Sequence, residues 1–341
     1  MKLVAVLCAV AALGTMVLNV QKSAAEPETA EYILVVEETV PAASLEEDTQ
    51  ESEIWIRLKT KTGVQQMLLE EYLVGVVLSE LPPSFEQEAF MAQTVAARTF
   101  TARNLENGKH DDCTVCANAG CCQAWRSTEE LQVVFGKEYE AYLQKARQAV
   151  EVTAGEVLCY NGTPIEAVYY SCSGGMTEPA VAVWGTEVPY LQTVQSPGEE
   201  GASKFTSEVR VPFEQFRRTL QSADSAVCFP VIPEDWVGKI TRSDGGGVKT
   251  AVLGGVAFSG TKLRSLFSLA STLFDLSVGD GEIVFSVKGY GHRVGMSQYG
   301  ANAMAAGGAG YREILKHYYT GVSIKKLSRV ESGQFSLLDA D

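Results

Sequence analysis

Apolar and polar residues divide this chain into regions of different character. Leu3 to Val20 is a run of eighteen uncharged, mostly apolar residues, and the acidic stretch after it has few large apolar side chains. From residue 54 the pattern changes, because Ile54-Trp55-Ile56-Arg57-Leu58-Lys59 alternates in hydrophobicity and predicts a strand. Thr62-Gly63 supplies the turn of a hairpin. The folded part of the chain is therefore expected to start near residue 54.

Two helical patterns follow, and a pair of prolines separates them. Leu69 to Glu80 has helical spacing, and it must end before Pro82-Pro83 because a residue preceding proline is disfavoured in the α region. Ser84-Phe85-Glu86-Gln87 has the pattern of a capping box and predicts a second helix that runs to about Asn104. Further along, a charged helix is predicted from about Ser127 to Thr153.

The remainder of the chain favours short strands, turns and a few late helices. Strands are predicted around Val157, from Ile165 to Ser171 and over most of Pro230 to Val287, and helical segments lead to Tyr319. Local helices mixed with strands of this kind predict an α+β fold. We interpret residues 54–328 as one main folded domain and residues 329–341 as a polar tail.

The N-terminal apolar run is long enough to span a membrane. A spanning helix needs about 17–25 residues, whereas the apolar core of a cleaved signal peptide has about 7–15. Lys2 on the short side predicts that the rest of the chain lies outside the cytoplasm. Residues 1–24 are therefore interpreted as a transmembrane anchor. A cleaved signal remains the alternative, because Ser23-Ala24-Ala25 offers small residues for cleavage.

The net charge and its distribution along the chain indicate which classes of molecule the protein is expected to bind. The net charge is −14, and the stretch from Gln21 to Ile54 holds ten carboxylates against a single lysine, Lys22. This composition predicts a solvated acidic spacer over residues 25–53. The clustered lysines and arginines that neutralise phosphates are missing from the sequence, so no nucleic acid partner is expected.

The first candidate for chemistry is Glu80, at the predicted end of a helix. The negative end of the helix dipole disfavours an ionised carboxylate, and a raised pKa suits a general acid that protonates a sugar leaving group. An ordinary exposed glutamate is the alternative. Arg98 lies on the apolar face of the second helix, where an arginine either holds a structural carboxylate or binds a ligand, and it is retained as a candidate substrate-binding residue.

A second group of residues has the composition of a metal site. His110, Cys113, Cys116, Cys121 and Cys122 fall within thirteen residues, and they include four of the eight cysteines of the chain. Thiolate and imidazole ligands at short spacing favour a closed tetrahedral zinc site. Disulfide pairing is the alternative in an oxidising compartment. Since five candidates compete for four positions, one of them is spare.

Two glycine-rich segments offer polar and aromatic side chains suited to sugars. Gly289 to Gly300 contains four glycines in twelve residues and carries candidate substrate-binding residues. A second segment, Tyr170 to Thr177, is a candidate groove lining. Either segment is also compatible with a purely structural loop. The candidates in the two segments are Ser171, Ser173, Thr177, His292, Ser297, Gln298 and Tyr299.

Taken together, these segments resemble the stage II sporulation protein D family, which comprises lytic transglycosylases of spore-forming bacteria, and its relatives among amidase enhancers. The resemblance extends from about Ile54 to Val322. It is carried by Glu71 to Val77, Ser79-Glu80-Leu81-Pro82, Glu88 to Thr99, Trp184, Pro189-Tyr190-Leu191, Ser196-Pro197, Gly289 to Ala301 and Tyr318 to Gly321.

The resemblance implies an activity and places several residues. It implies non-hydrolytic cleavage of peptidoglycan glycan strands during sporulation engulfment, after an amidase has removed the stem peptides, and it points to Glu80 as the catalytic residue. It also implies a structural zinc on His110, Cys116 and Cys122, with Cys121 where relatives carry a second histidine. Arg293 stands where relatives usually have a glycine.

The resemblance also implies partners and a location. A cell-wall amidase and a membrane protein of the engulfment machinery are the expected partners. The protein is expected to be a single-pass membrane protein with its catalytic domain between the mother cell and forespore membranes. A non-catalytic, glycan-binding enhancer of an amidase is the alternative function.

Overall fold

The computed structural model describes residues 53–106, 108–329 and 335–339. The helices within these ranges are α1 (Leu69–Glu80), α2 (Gln87–Glu106), α3 (Thr128–Phe135), α4 (Tyr139–Val152), α5 (Ala180–Trp184), α6 (Phe213–Ala223), α7 (Gly260–Leu266), α8 (Gln298–Ala306) and α9 (Tyr311–Tyr318). None of them is both long enough and apolar enough to cross a bilayer. The predicted anchor, residues 1–24, and the spacer up to residue 52 lie outside the described residues.

The strands in these ranges form small sheets. They are β1 (Trp55–Thr60), β2 (Gly63–Leu68), β3 (Val115–Cys116), β4 (Glu156–Tyr160), β5 (Thr163–Pro164), β6 (Tyr169–Tyr170), β7 (Thr206–Pro212), β8 (Val237–Arg242), β9 (Val248–Leu253), β10 (Val256–Ser259), β11 (Leu273–Val278), β12 (Glu282–Lys288), β13 (Met296–Ser297), β14 (Ser323–Arg329) and β15 (Phe335–Asp339). The sheet orders are β2-β1-β3, β10-β9-β8, β11-β12-β7, β13-β6 and β15-β14-β4-β5. Helices and sheets together give the α+β class that the sequence predicts.

The first hairpin and α1 follow the predicted pattern closely. β1 and β2 pair antiparallel with Thr60 opposite Gly63. α1 ends at Glu80, and Leu81 has the extended conformation (φ −108°, ψ 142°) that a residue before proline adopts. This stop fixes the position of Glu80 at the C-terminal end of a helix.

α2 is the central helix of the part of the fold that also contains α1, α4, α8 and α9, which we call the main core. Its small and apolar residues, such as Ala92 and Ala96, are fully buried, and it packs against α1, α4, α8 and α9. Small side chains allow these helices to approach closely. The predicted capping box at Ser84 does not begin the helix: α2 starts at Gln87, and the main-chain N–H of Glu86 donates to Oδ1 of Asn302 at 2.7 Å.

The structure adds detail at two further segments, one predicted as a single helix and one predicted as a polar tail. The charged helix predicted from Ser127 to Thr153 is divided into α3 and α4, because Gly136 has a positive φ of 54° and a short 3-10 turn begins there. Part of the predicted polar tail, residues 329–341, is also structured, since β15 pairs antiparallel with β14. Leu337 of β15 packs against the apolar core beneath that sheet, which explains why the segment forms a strand.

Residues 206–288 form what we call the inserted lobe, which has its own apolar core. Phe216, Trp236 and Phe285 belong to this core, which draws all its buried residues from within the lobe. The first and last residues of the lobe, Thr206 and Lys288, are partners in the antiparallel pairing of β7 with β12. The chain therefore leaves the main core and returns to it at adjacent points.

Candidate active site

Glu80 accepts hydrogen bonds from three parts of the chain that are distant in sequence. The main-chain N–H of Ala124 donates to its Oε1 at 2.6 Å, and the hydroxyl of Tyr169 donates to the same oxygen at 3.4 Å. The side-chain amide of Gln298 donates to Oε2 at 3.4 Å. The three donors lie on the loop that follows the candidate metal ligands, on strand β6 and at the start of α8, so these segments meet at one carboxyl group.

The surroundings of Glu80 favour the protonated carboxyl. Burial raises its pKa above the ordinary glutamate value of 4.5, and this effect outweighs the opposing hydrogen bonds from Ala124, Gln298 and Tyr169 and the charge of Arg126. The sequence predicted a raised pKa from the helix end, whereas the structure gives burial as the main cause. A carboxyl group that holds its proton to higher pH is suited to general acid catalysis.

A second layer of hydrogen bonds holds Tyr169 and the loop before Ala124. Gln123 is buried, and its amide donates to the hydroxyl of Tyr169 at 3.0 Å. Its carbonyl oxygen accepts from the hydroxyls of Tyr72 at 3.0 Å and Thr101 at 3.1 Å. Neither Tyr169 nor Gln123 was among the candidates from the sequence. Their role depends on hydrogen bonds between residues that are 22 to 51 positions apart in the chain.

Gly75 allows the loop to pack directly on α1. A Cβ atom at this position would lie 2.3 Å from Nε1 of Trp125 and 3.0 Å from the carbonyl oxygen of Arg126. Only glycine leaves this space free, since real Cβ contacts of that length do not occur. The contact brings the segment that follows Ala124 against the same helix that ends in Glu80.

Two of the predicted substrate-binding residues, Gln298 and Tyr299, lie near the end of α1. The first contacts Glu80, and the second packs against Phe85, just beyond the helix. Gln298 is mostly buried and reaches the carboxyl directly. Tyr299, next in the chain, is half-buried and packs edge-on against Phe85, with ring centroids 4.9 Å apart. Both residues belong to the first turn of α8, and of the two it is Gln298 whose side chain is hydrogen-bonded to Glu80.

The hydroxyls of Ser173 and Ser297 converge on a buried carboxylate, Glu199, that the sequence did not indicate. Oε2 of Glu199 accepts from the Ser173 hydroxyl at 2.7 Å and from the main-chain N–H groups of Ser173 and Gly174, each at 2.8 Å. Its Oε1 accepts from the hydroxyls of Ser196 at 2.7 Å and Ser297. Both serines are fully buried, so the structure assigns them to loop support and not to substrate contact.

Thr177 is likewise used within the protein. Its buried hydroxyl donates to the carbonyl of Gln192 at 3.0 Å and accepts from the N–H of Val194 at 2.8 Å. Ser171 is half-buried, and its carbonyl oxygen accepts from the N–H of Tyr299 at 3.0 Å. Ser171 therefore fixes the start of α8 through its main chain, and Thr177 lacks a free hydroxyl for a sugar.

His292 is a neutral imidazole placed between aromatic rings. Its Nδ1 accepts from the N–H of Val294 at 3.1 Å, so Nε2 carries the hydrogen and donates to the carbonyl of Tyr169 at 3.1 Å. Burial, followed by the charge of Arg264, lowers its pKa to about 4. The ring lies 5.7 Å from that of Trp184, which is 43% exposed and offers an apolar face at the surface.

The predicted substrate-binding role of Arg98 is not supported by its position. Its side chain is fully buried, and the guanidinium donates to both carboxylate oxygens of Glu70, at 2.8 and 2.6 Å. It also donates to Thr153 and to the carbonyls of Val150 and Glu156, each at 3.3 Å. With these donors occupied inside the protein, Arg98 joins α1, α2 and α4 and does not face a ligand.

Arg293 is a second buried arginine with a structural role. It has a positive φ of 66°, a backbone conformation that glycine adopts more easily than other residues. Its guanidinium donates to Glu178 at 2.9 Å and to the carbonyls of Ser173 at 2.6 Å, Met176 at 2.9 Å and Gly245 at 2.7 Å. These bonds connect the inserted lobe to the loop that carries Ser173.

The four predicted zinc ligands converge at one point. The ligand atoms of His110, Cys116, Cys121 and Cys122 all lie within 4.8 Å of one another, and the four residues are half-buried. Nε2 of His110 is 3.2 Å from the sulfur of Cys122 and 3.7 Å from that of Cys121. Three sulfurs and one nitrogen at these separations fit a closed tetrahedral zinc site.

The remaining cysteine of this loop lies apart from the cluster. Cys113 is buried, with 2% exposure, and does not belong to the group of converging ligand atoms. Every cysteine that the structure describes is a free thiol. The geometry therefore agrees with the expectation that one of the five candidates is spare.

Two cavities are prominent in the described part of the chain. One, of about 500 Å³, adjoins the loop that holds Glu80 and is lined by Gly75, Trp125, Arg126, Arg147, Glu71 and Glu140 among others. The other, of about 800 Å³, lies where the inserted lobe meets Gly174, Gly175 and Met176. Glu80 lines neither cavity, but Gly75, Trp125 and Arg126 of the smaller one belong to the helix that ends in Glu80 and to the loop just after its donor Ala124.

The sequence of this chain is similar to those of several known proteins. A family model described as "Stage II sporulation protein" matches residues 58–160. Stage II sporulation protein D of Bacillus amyloliquefaciens is 38% identical over 270 residues, which cover 77% of this chain and 76% of that protein. The protein of the same description from Bacillus subtilis (strain 168) is 36% identical, with the same shares covered. An amidase enhancer of Bacillus subtilis (strain 168) is 30% identical, over 74% of this chain and 40% of that protein.

Proposed function

Because the chain belongs to the stage II sporulation protein D family, we propose that it is a lytic transglycosylase that cleaves peptidoglycan glycan strands. The observation that carries the proposal is the state of Glu80. Its carboxyl has a raised pKa and is held by Ala124, Tyr169 and Gln298, with cavity-lining residues on the adjoining loop. A buried, oriented carboxylic acid is what protonation of a glycosidic oxygen requires.

The proposed mechanism uses Glu80 twice. It first donates its proton to the oxygen that leaves C1 of N-acetylmuramic acid, through an oxocarbenium-like transition state. The resulting carboxylate is stabilised by the N–H of Ala124 and the donors on Tyr169 and Gln298. It then accepts the proton of the C6 hydroxyl of the same sugar, whose oxygen attacks C1 and closes a 1,6-anhydro ring.

An intramolecular nucleophile explains why one carboxylate is sufficient. Hydrolytic glycosidases use a pair of acids on opposite sides of the bond. Among the described residues, the groups that hydrogen-bond to Glu80 are an N–H, a hydroxyl and an amide, and none is a second carboxylate. In the proposed transglycosylation the C6 hydroxyl of the same sugar replaces water, so no second carboxylate is needed to activate a water molecule.

We also propose that His110, Cys116, Cys121 and Cys122 hold a zinc ion. Four protein ligands would leave no open position for water, so the metal would contribute folding free energy and not catalysis. The residues that follow the last ligand are Gln123 and Ala124. Ordering this loop would therefore order the main-chain donor to Glu80.

The proposed setting is the cell wall during sporulation. Leu3 to Val20 would anchor the chain in a membrane, with the catalytic domain outside the cytoplasm, and carbonate extraction of membranes tests this. The similarity to an amidase enhancer supports a functional connection with a cell-wall amidase. Under this proposal the amidase removes stem peptides, and this protein cleaves the glycan strands that remain, together with a membrane partner of the engulfment machinery.

Mass analysis of digested glycan strands tests the proposal. Wild-type protein should convert peptide-free strands into products with 1,6-anhydro-N-acetylmuramic acid ends. Glu80→Gln preserves the shape of the side chain but cannot donate a proton, so the rate should fall by roughly 10²–10⁴-fold. Glu86→Gln is the matched control, because Glu86 is an exposed glutamate six residues away, and it should retain most of the activity.

Two outcomes would contradict the proposal in different ways. If Glu80→Gln cleaves as fast as wild type, the acid is another residue. If wild-type protein yields no anhydro product but increases the rate of an amidase, the chain is a glycan-binding enhancer instead.

A further inference from the structure

Trp184 presents an aromatic face to solvent at the end of α5. The residue is 43% exposed, and Val181, which lies one turn earlier on the same side of the helix, is 50% exposed. Gly185 ends the helix in a left-handed conformation (φ 77°), and its N–H donates to the carbonyl of Val181 at 3.1 Å. The indole is therefore fixed at a capped helix end, and a ligand that covers it gains the free energy of removing apolar surface from water.

A series of contacts joins Trp184 to the candidate acid. Its ring lies 5.7 Å from that of His292, whose Nε2 donates to the carbonyl of Tyr169 at 3.1 Å. The hydroxyl of the same tyrosine donates to Oε1 of Glu80 at 3.4 Å. All four residues keep part of their surface accessible. The tryptophan and the acid are thus connected through residues that themselves reach the surface, so one extended ligand can contact both.

The inserted lobe adds a cation beside these rings. Arg264, in α7, is close enough to His292 that its charge, after the larger effect of burial, helps to lower the pKa of the imidazole. Its Nε donates to the carbonyl of Leu269 at 3.3 Å. None of the ion pairs in the described part of the chain includes Arg264. A guanidinium without a carboxylate partner among these residues therefore lies next to the imidazole that Trp184 contacts.

An indole face and a guanidinium together are suited to a sugar. One face of a pyranose ring carries C–H groups that pack against an aromatic ring, while its rim carries hydroxyl and acetamido oxygens that accept hydrogen bonds. An apolar surface with a few placed polar groups is the usual composition of such a site. The sugar on Trp184 is not the one at the cleaved bond, because Tyr169 and His292 lie between Trp184 and Glu80. It is another unit of the same strand.

We propose that Trp184 is the stacking platform of a remote sugar subsite, which binds a unit of the glycan strand away from the bond that Glu80 cleaves, with Arg264 as a hydrogen-bond donor to that sugar. This inference rests on the proposed function and identifies a further part of the substrate that the protein holds. Trp184 is a positioning residue: it holds the strand while the reaction takes place elsewhere on it.

The test measures binding of fluorescently labelled, peptide-free glycan strands of peptidoglycan to the full-length chain in detergent. All variants also carry Glu80→Gln, which prevents cleavage, and that single variant is the parent. Trp184→Ala should weaken binding roughly 10- to 100-fold, because it removes the apolar surface that the sugar covers. Trp184→Phe keeps an aromatic face and should retain most of the affinity, which separates loss of stacking from loss of folding. Arg264→Gln should weaken binding roughly 3- to 10-fold.

Each change has a matched control elsewhere in the chain. Trp55 is 50% exposed and lies opposite Leu68, at the other end of α1 from Glu80, so Trp55→Ala should bind like the parent. Arg218 is an exposed arginine of the same lobe as Arg264, and Arg218→Gln should also bind like the parent. Parent-like binding by Trp184→Ala would overturn the inference, as would an equal loss in Trp55→Ala. Parent-like binding by Arg264→Gln would refute its role as a donor.

Tryptophan fluorescence reports the contact itself. Trp55 and Trp184 are the exposed tryptophans of the described residues, so unlabelled strands that cover Trp184 should shift the emission to shorter wavelength. The shift should disappear in Trp184→Phe and remain in Trp55→Phe. A shift that persists in Trp184→Phe would show that the glycan covers a different residue. These readouts need no cleavage, so a wild-type protein that makes no anhydro product would refute the proposed function and leave the result for the subsite unchanged.

Discussion

The main-chain N–H of Ala124 donates a 2.6 Å hydrogen bond to Oε1 of Glu80, and Ala124 is only two residues from Cys122. The carboxyl at the end of α1 is therefore oriented by the loop that carries the cysteine cluster. Changes in that loop are expected to reach Glu80 through the chain itself, since a shift of the main chain at residue 122 moves the donor at residue 124.

Replacing Cys122 by serine should remove zinc and reduce thermal stability. The full-length protein is expected to contain one zinc per chain, measured by elemental analysis after gel filtration, and Cys122→Ser should lose it, because the hydroxyl is a weak ligand. Cys228→Ser is the control, since Cys228 is exposed and lies in the inserted lobe. Finding Cys121 or Cys122 in a disulfide in freshly purified protein would contradict the metal assignment.

Tyr169→Phe should slow cleavage and shift its pH dependence. Losing one hydrogen bond to Glu80 should reduce kcat/KM by roughly 2- to 10-fold. The hydroxyl lowers the pKa of Glu80, so its removal raises that pKa further and the protonated acid persists to higher pH. The alkaline limb of the kcat/KM profile is therefore expected to move upward. Tyr160→Phe is the control, because Tyr160 lies outside the site, and it should change neither kcat/KM nor its pH profile. If the alkaline limb of the profile does not move in Tyr169→Phe, the hydrogen bond between Tyr169 and Glu80 does not affect the acid.

Glu80→Gln should make the protein more stable at neutral pH. Burial raises the pKa of Glu80 above 4.5, so the folded state holds its proton more tightly than the unfolded state does. Below pH 4.5 both states are protonated and the raised pKa has no cost. As pH rises through the folded pKa, the unfolded state ionises first and the wild-type protein loses stability, whereas the glutamine variant does not.

Thermal unfolding of the two proteins at pH 4 and pH 7 measures this effect. The Tm of Glu80→Gln is expected to exceed that of wild type at pH 7 and to approach it at pH 4. Glu86→Gln is the control, because it shows how much the Tm changes when an exposed carboxylate is removed. A Glu80→Gln protein that is no more stable than wild type at pH 7 would show that burial does not penalise the ionised carboxyl.

Gly75→Ala should damage the site without touching a polar group in it. The new Cβ would lie 2.3 Å from Nε1 of Trp125, so the indole and the loop after Ala124 must move. Overpacking of this kind costs about 1–3 kcal/mol of unfolding free energy, and glycan cleavage should fall as Glu80 loses its donor. Gly201→Ala is the control, because nothing lies within 4 Å of its Cβ. Equal activity in the two variants would contradict the role of this contact.

Local signals in the sequence were sufficient for some features. Pro82-Pro83 stops α1 at Glu80, and the structure ends the helix at that residue. The cysteine cluster was also predictable, because its ligands lie within thirteen residues and a short loop can bring them together. In both cases the physical cause acts between residues that are close in the chain.

Features that depend on distant contacts were not predictable from one sequence. Glu199 collects hydroxyls from positions 173, 196 and 297, so nothing near it in the chain marks its role. Arg98 was considered for the substrate because its apolar neighbours do not reveal Glu70, 28 residues earlier. The division of the charged helix into α3 and α4 depends on one residue, Gly136, whose conformation outweighs the helical pattern around it.

The pairing of Thr206 with Lys288 has a consequence for how this chain could diversify. Residues that face each other across antiparallel strands are about 5 Å apart, so a tight turn of a few residues could close the gap that the inserted lobe now fills. Evolution could thus lengthen, exchange or delete some eighty residues with little disturbance at the point of attachment. One constraint on any replacement is Arg293, which would need a new acceptor in place of the carbonyl of Gly245.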